Sequence, residues 1–290
     1  MRRAYRLRLL LFGTILVCLS PLSATAADTG TAPVKPAAGY LLGIFPFMPL
    51  ANIEGLFAPL ARDIGTELGK KVLLTSSATF ETMIDDIKQA RFDIAYIQPF
   101  DYVKFAKSAG YVPVATRAET LTSVVVVKEG SPVTKLSQLK GRSFGMPPEF
   151  AAVSYLNRFM LGKAGLKPGT DVKMVFLASH MNCLQELMIG SVDACGVSPS
   201  ALRLAQIQLK SRFRTIDTSP PVPSPLFVVK STLPRKERDA VTRILTTTTL
   251  ENVKPELRRM YYADDGKKPF IPASDLDYEP IRNLLKRIEH

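Results

Sequence analysis

Short apolar runs alternate along the chain with longer stretches whose apolar positions recur every three or four residues. That pattern predicts strands alternating with helices. "YLLGIFPF" (residues 40–47) reads as a buried strand and "NIEGLFAPLARDIGTELG" as an amphipathic helix closing at Gly69. "KVLLTSS" is a second strand, "TFETMIDDIKQA" a helix with Thr79 as its N-cap, and "FDIAYIQP" a third strand. A β-α-β-α-β run calls for parallel strands covered by helices. "TSVVVVKEG" is the greasiest run and is expected to cross into a second lobe. There "GRSFGM", "KMVFLA" and "VDACGVS" read as strands, separated by the helices "EFAAVSYLNRFMLGKAG" and "HMNCLQELMIG". "SPPVPSPLFVVK" is proline-rich but ends in a strand, which suits a return crossing. Residues 234–290 look helical and are expected to pack back on the first lobe.

The expected fold is α/β with two lobes, each a mostly parallel sheet flanked by helices, joined by two hinge crossings. Lobe one takes residues 39–125 and 226–290, and lobe two residues 126–225. A clamp of this kind holds its ligand in the cleft between the lobes.

The first residues change the compartment. "MRRAYRLRLLLFGTILVCLSPLSATAAD" has four arginines, an apolar run from Leu9 to Leu19, then Ala24-Thr25-Ala26. That layout predicts a secretory signal peptide over residues 1–26, cleaved after Ala26; the apolar run is short of the ~20 residues a membrane span needs. A lipid anchor at Cys18 lacks small residues before it. Residues 27–38 ("ADTGTAPVKPAA") form a flexible tether. Cleavage leaves 34 Lys+Arg against 26 Asp+Glu, a net charge of +8. The basic residues are scattered and no nucleic-acid-binding motif is present, so nucleic acid is not an expected partner. Cleavage also leaves Cys183 and Cys195 in an oxidising compartment, where one disulfide and two buried thiols are both open readings.

Candidate chemistry is sparse. "GRSFG" fits the hydrolase pattern G-x-S-x-G, but Ser143 falls inside a strand, and His180 and His290 are the only histidines to serve it. No close metal-ligand spacing occurs, so neither hydrolysis nor a metal or other cofactor is expected. Residues at strand ends are better candidates, because open α/β sheets bind ligands there: Phe47 after the first strand, Gln98 and Phe100 after the third. "FGMPPEFAAVSY" (residues 144–155) reads as a helix start, whose unpaired N–H groups favour an anion. Glu149 is the charged residue at that start; it either fills the anion seat from within or stays on a solvated surface.

Five blocks stand in the order and spacing of a known family: "GIFPFMP", "FETMIDDIKQARFDIAYIQPFDYV", "TSVVVVKEGSPVTKLSQLKGRSFG", "ASHMNCLQELMIGSVDA" and "SPPVPSPLFVVKSTLP". Over residues 40–285 the chain resembles the periplasmic phosphate/phosphite/phosphonate-binding proteins of ABC importers. The resemblance implies a monomeric solute-binding protein, with a small-molecule ligand and a membrane transporter as partners. A sensor kinase is the alternative partner.

The family's oxyanion-binding residues carry over poorly. Its Ser-Thr-Ser-Gly run falls on Glu149-Phe150-Ala151-Ala152; two of its tyrosines fall on Leu121 and Phe80; its acidic positions fall near Ser200 and Pro225. Its histidine is matched by His180. These exchanges trade hydroxyls for hydrocarbon, so the expected ligand is apolar or amphiphilic, lipid- or sterol-like, with Glu119, His180, Asn182 and Ser198 as polar anchors. The alternative is a phosphonate, phosphite or arsenite-like oxyanion.

Overall fold

Both predicted sheets form, and two crossing segments paired by an isolated antiparallel bridge join them. The computed structural model describes residues 39–261 and 269–288; the expected leader and tether lie outside the described residues. In lobe one β1 (Tyr40–Ile44), β2 (Val72–Ser76) and β3 (Ile94–Ile97) are parallel, connected by α1 (Leu50–Leu68) and α2 (Phe80–Lys88). Gly69 closes α1 at φ 61°, a left-handed position that suits glycine. Thr79 caps α2 by accepting the Thr82 N–H at 3.1 Å. A short helix, α3 (Pro99–Asp101), and a π-helical turn, Tyr102–Ala106, lead into β4 (Tyr111–Arg117).

The chain then crosses into lobe two, which consists of β5 (Val124–Lys128), β6 (Ser143–Met146), α4 (Ala152–Lys163), β7 (Lys173–Phe176), α5 (His180–Ile189), β8 (Ala194–Val197), α6 (Pro199–Gln208) and β9 (Phe213–Thr218). It returns through β10 (Leu226–Lys230) to α7 (Arg235–Thr247), α8 (Pro255–Tyr261), β11 (Phe270–Pro272) and α9 (Glu279–Ile288). Strand order is β11-β4-β10-β3-β1-β2 in lobe one and β7-β6-β8-β5-β9 in lobe two.

Each sheet is mixed. The β-α-β units supply three parallel strands apiece, as their pattern predicts. Strands next to the crossings run the other way: β10 is antiparallel to β3 and β4, and β5 to β8 and β9. Pro113 lies in β4 opposite Val228, where the register shifts between Phe227 and Val228; a bulge is where a ladder tolerates a residue that cannot donate.

The crossings are bonded to each other. Leu121 and Val222 exchange both backbone hydrogen bonds, at 2.8 and 2.9 Å, and Ser219 Oγ accepts the Ser123 N–H at 2.9 Å. Ser123 Oγ is 2.6 Å from Oδ1 of Asn157 on α4, and both residues are fully buried. The hinge is therefore tied to the helix that faces the cleft.

The lobe-one core is one continuous apolar cluster. It takes in Val241, Leu245, Phe270, Ile281 and Leu284 from the C-terminal segment, and Ala152, Tyr155 and Leu156 from α4 of lobe two. Among the described residues no helix is long and apolar enough to cross a membrane.

Cys183 on α5 and Cys195 on β8 form a disulfide, their Cα atoms 6.1 Å apart. Both are fully buried in the core of lobe two. A bridge between residues 12 apart removes loop entropy from the unfolded chain worth about 2–3 kcal/mol. Reduction, or Cys183→Ser with Cys195→Ser, is expected to lower the urea midpoint accordingly. An identical midpoint with and without reductant would contradict the bridge.

Candidate functional site

β1 and β3 are parallel, so their C-terminal ends share one edge of lobe one; in lobe two the C-terminal ends of β6, β7 and β8 do the same. Gln98, just past β3, touches the start of α4, just past β6. The two edges therefore face each other across the seam between the lobes.

Gln98 is 3% exposed, and its carboxamide reaches into lobe two. Its Oε1 accepts the Ala152 N–H at 2.7 Å. Its Nε2 donates to the Phe150 carbonyl at 3.0 Å and to Asp101 Oδ2 at 3.2 Å. Phe100 stacks on Tyr155 of α4 with ring centroids 4.5 Å apart and planes at 9°. Lys104 and Arg158 lie over the Tyr155 ring at 5.4 and 4.9 Å.

Of the two readings of Glu149, this arrangement matches the solvated surface. α4 begins at Ala152, three residues later than the sequence pattern suggests, and its N-cap Ala151 offers no side-chain acceptor. Glu149 sits before that turn on the exposed side, paired with Arg158 at 3.1 Å. The oxygen at the helix start belongs to Gln98. Glu149 cannot serve there because the turn formed by Pro147 and Pro148 directs the chain outward; Ala151 N–H bonds back to the Pro148 carbonyl at 2.9 Å, and Ser154 Oγ to the carbonyls of both prolines.

Phe47 and Phe80 meet through Phe45, whose ring centroid is 4.8 Å from Phe47 and 6.2 Å from Phe80. Both are half-buried, and the group continues inward to Tyr96 and Phe57. In lobe two His180 opens α5, and its Nδ1 accepts the Ser198 N–H at 3.3 Å. Ser198 Oγ in turn accepts the Ala201 N–H and caps α6.

Other candidates have local partners. Glu119 is exposed and pairs with Arg117 at 2.7 Å. Asn182 is exposed and bonded to Ser179 at the start of α5. Leu121 is in the hinge. Ser143 of the G-x-S-x-G pattern lies in β6, with its Oγ donating to Asp193 Oδ2 at 2.7 Å. The disulfide leaves neither Cys183 nor Cys195 as a thiol. Two cavities, one of about 220 Å³ beside Asp63 and Thr248 and one of about 330 Å³ beside Arg142 and Asp193, lie away from the seam.

Asp101 and Tyr155 escaped the sequence reading. The available signal for Asp101 was its position, three residues after Gln98 in the same turn. Asp101 is 1% exposed, and burial pushes its carboxyl up to about 7, against the opposing pull of the Gln98 hydrogen bond and Lys104. Burial pushes the His180 imidazole down to about 4, so it is neutral at pH 7, although the residue keeps an accessible edge.

A family model described as "ABC transporter, phosphonate, periplasmic substrate-binding protein" matches residues 42–278. Among solved structures the chain is similar to PhnD1 from Prochlorococcus marinus in complex with methylphosphonate (15% identity, TM-score 0.73, covering 87% of this chain and 98% of that one). It is also similar to a binding protein component of an ABC phosphonate transporter from Pseudomonas aeruginosa (16%, 0.70, 87% of each chain). The periplasmic aliphatic sulphonate binding protein SsuA from Escherichia coli is a third (14%, 0.64, 88% and 94%). At these identities the likeness is one of fold.

Asp101 and His180 give opposite pH dependences. Folded Asp101 holds a proton that the unfolded chain has released between about pH 4 and pH 7, so its contribution falls as pH rises through that window. Folded His180 rejects a proton that the unfolded chain takes up below pH 6.5, so its contribution is complete above 6.5 and is lost as pH falls toward 4. Subtracting the wild-type profile from that of Asp101→Asn should leave a difference that rises with pH, by at most about 1.4 kcal/mol per unit. The same subtraction for His180→Gln should leave one that falls. Urea midpoints from pH 4 to 7.5 measure both, and flat differences would contradict the assigned burial.

Proposed function

The chain belongs to the periplasmic substrate-binding family of ABC phosphonate transporters, and on that footing we propose that its cleft takes an apolar or amphiphilic molecule, lipid- or sterol-like, rather than a phosphonate. In this reading the chain is exported by the leader at residues 1–26, acts as a monomer, and passes its ligand to the membrane transporter. The aromatic wall of Phe45, Phe47 and Phe80 on the lobe-one edge carries the proposal. Phe47 and Phe80 are half-buried and have apolar surface left to cover, worth about 25 cal/mol per Å² removed from water.

The opposing edge supports it. Phe150, Ala151 and Ala152 bring no hydroxyl to the start of α4, and Ser154 Oγ is spent on proline carbonyls. A dianionic headgroup there would also sit close to the buried Asp101, which costs affinity whenever that carboxyl is ionised. His180 is neutral and already bonded to Ser198, so it brings hydrogen-bonding capacity rather than positive charge. Phe47, Phe80 and Phe150 would hold the apolar body, with His180 and Ser198 anchoring a polar end.

The oxyanion remains the second reading, favoured by the methylphosphonate bound to the similar Prochlorococcus protein. Organic extraction of the purified protein followed by mass spectrometry, with calorimetry against methylphosphonate and phosphite, separates the two. The apolar reading expects a co-extracted lipid-like species and no heat from either anion. Sub-micromolar binding of methylphosphonate would overturn it. Phe47→Ala is expected to weaken retention of the extracted species roughly ten- to a hundredfold, the cost of about 1.5–3 kcal/mol in lost apolar contact. Undiminished retention would remove Phe47 from the site.

A further inference from the structure

A carboxamide is both donor and acceptor, and Gln98 uses both functions on the backbone of the other lobe. Its oxygen meets the first amide of α4 and its nitrogen meets the carbonyl two residues earlier, at 2.7 and 3.0 Å. The Ala152 N–H and the Phe150 carbonyl select this orientation, because the flipped amide would set donor against donor and oxygen against oxygen; in it Nε2 also lies 3.2 Å from Asp101 Oδ2. Gln98 is nearly water-free, which strengthens both bonds relative to their counterparts in water. Beside it the Phe100–Tyr155 stack adds the apolar contact between the same two segments.

We propose that Gln98 is a built-in latch: its carboxamide holds the two lobes together by occupying the backbone groups at the start of α4, so a ligand entering the cleft must compete with it. This rests on the reading that the cleft is the ligand site, and it assigns the control of that site to a residue of the chain itself. Gln98 is a positioning residue in this scheme. An alanine at 98 supplies neither bond. A glutamate at 98 keeps the acceptor, loses the donor to the Phe150 carbonyl and sets a second carboxyl against Asp101.

The test needs no ligand. Full-length wild-type protein, Gln98→Ala and Gln98→Glu are compared by small-angle scattering and by amide-resolved hydrogen exchange at Ala152. The latch predicts a compact wild type with a protected Ala152 amide. It predicts a larger radius of gyration in both variants, with Ala152 exchanging at least tenfold faster. A wild type whose Ala152 amide exchanges at the unprotected rate overturns the proposal. Faster exchange in Gln98→Ala with unchanged scattering also overturns it, because Gln98 would then be only a helix cap. Should Gln98→Ala fail to fold, Gln98→Glu and the wild-type amide carry the decision. The apolar-ligand reading is judged separately, by extraction and calorimetry, so either can fail alone.

Discussion

A helix that begins without a side-chain acceptor must find one elsewhere for its first amide, and α4 finds it on the other lobe. The side chains of Phe150, Ala151 and Ala152 hold no acceptor, and an amide left unpaired in so dry a seam costs about 1–3 kcal/mol. Gln98 removes that cost, and much else follows from where it places α4. Tyr155, one turn on, comes to lie flat against Phe100, and Ala152 and Leu156 enter the core of lobe one. Asn157 then faces Ser123 in the first crossing, so the helix that meets the opposite lobe also grips the hinge. Gly196 leaves the room Asn157 needs, since a Cβ there would collide with its amide.

The chemistry gathered at the seam is polar without strong charge. Asp101 and His180 are shifted in opposite directions by the same cause, loss of water, and each is moved toward its neutral form. The positive groups nearby, Lys104 and Arg158, lie over the face of Tyr155, and Arg158 also pairs with Glu149 at the surface. Neutral amide, neutral imidazole and a row of phenyl rings suit a ligand that is mostly hydrocarbon. A shared fold does not oppose this, because ligand choice belongs to side chains at the cleft and not to the scaffold. The solved structures similar to this chain include phosphonate- and sulphonate-binding proteins at about the same level of likeness.

Local features of the fold were legible. The caps of α1 and α2 are at Gly69 and Thr79, because a left-handed glycine and a threonine oxygen act within one turn of themselves. The parallel trios follow from β-α-β alternation for the same reason. Strand β4 is harder to see, since Pro113 argues against a ladder and only a bulge beside it at Val114 admits it. Strand β11, three residues long, exists because β4 offers it an edge. α4 starts three residues later than the pattern predicts: two prolines signal a helix onset, but their carbonyls are used in a preceding turn.

At the site, Gln98 and Phe100 could be named from their place at the end of a strand, but their partners could not. The sequence alone determined the two α/β lobes, the crossings and the absence of hydroxyl side chains at residues 149–152, all of which are matters of order and side-chain type. Tertiary structure alone decided that an amide 54 positions away, and not the adjacent carboxylate, answers the first N–H of α4. The same holds for the burial that raises the Asp101 carboxyl and for the joining of Cys183 to Cys195. Hydrogen bonding and desolvation depend on distance in space, and a sequence records distance only along the chain.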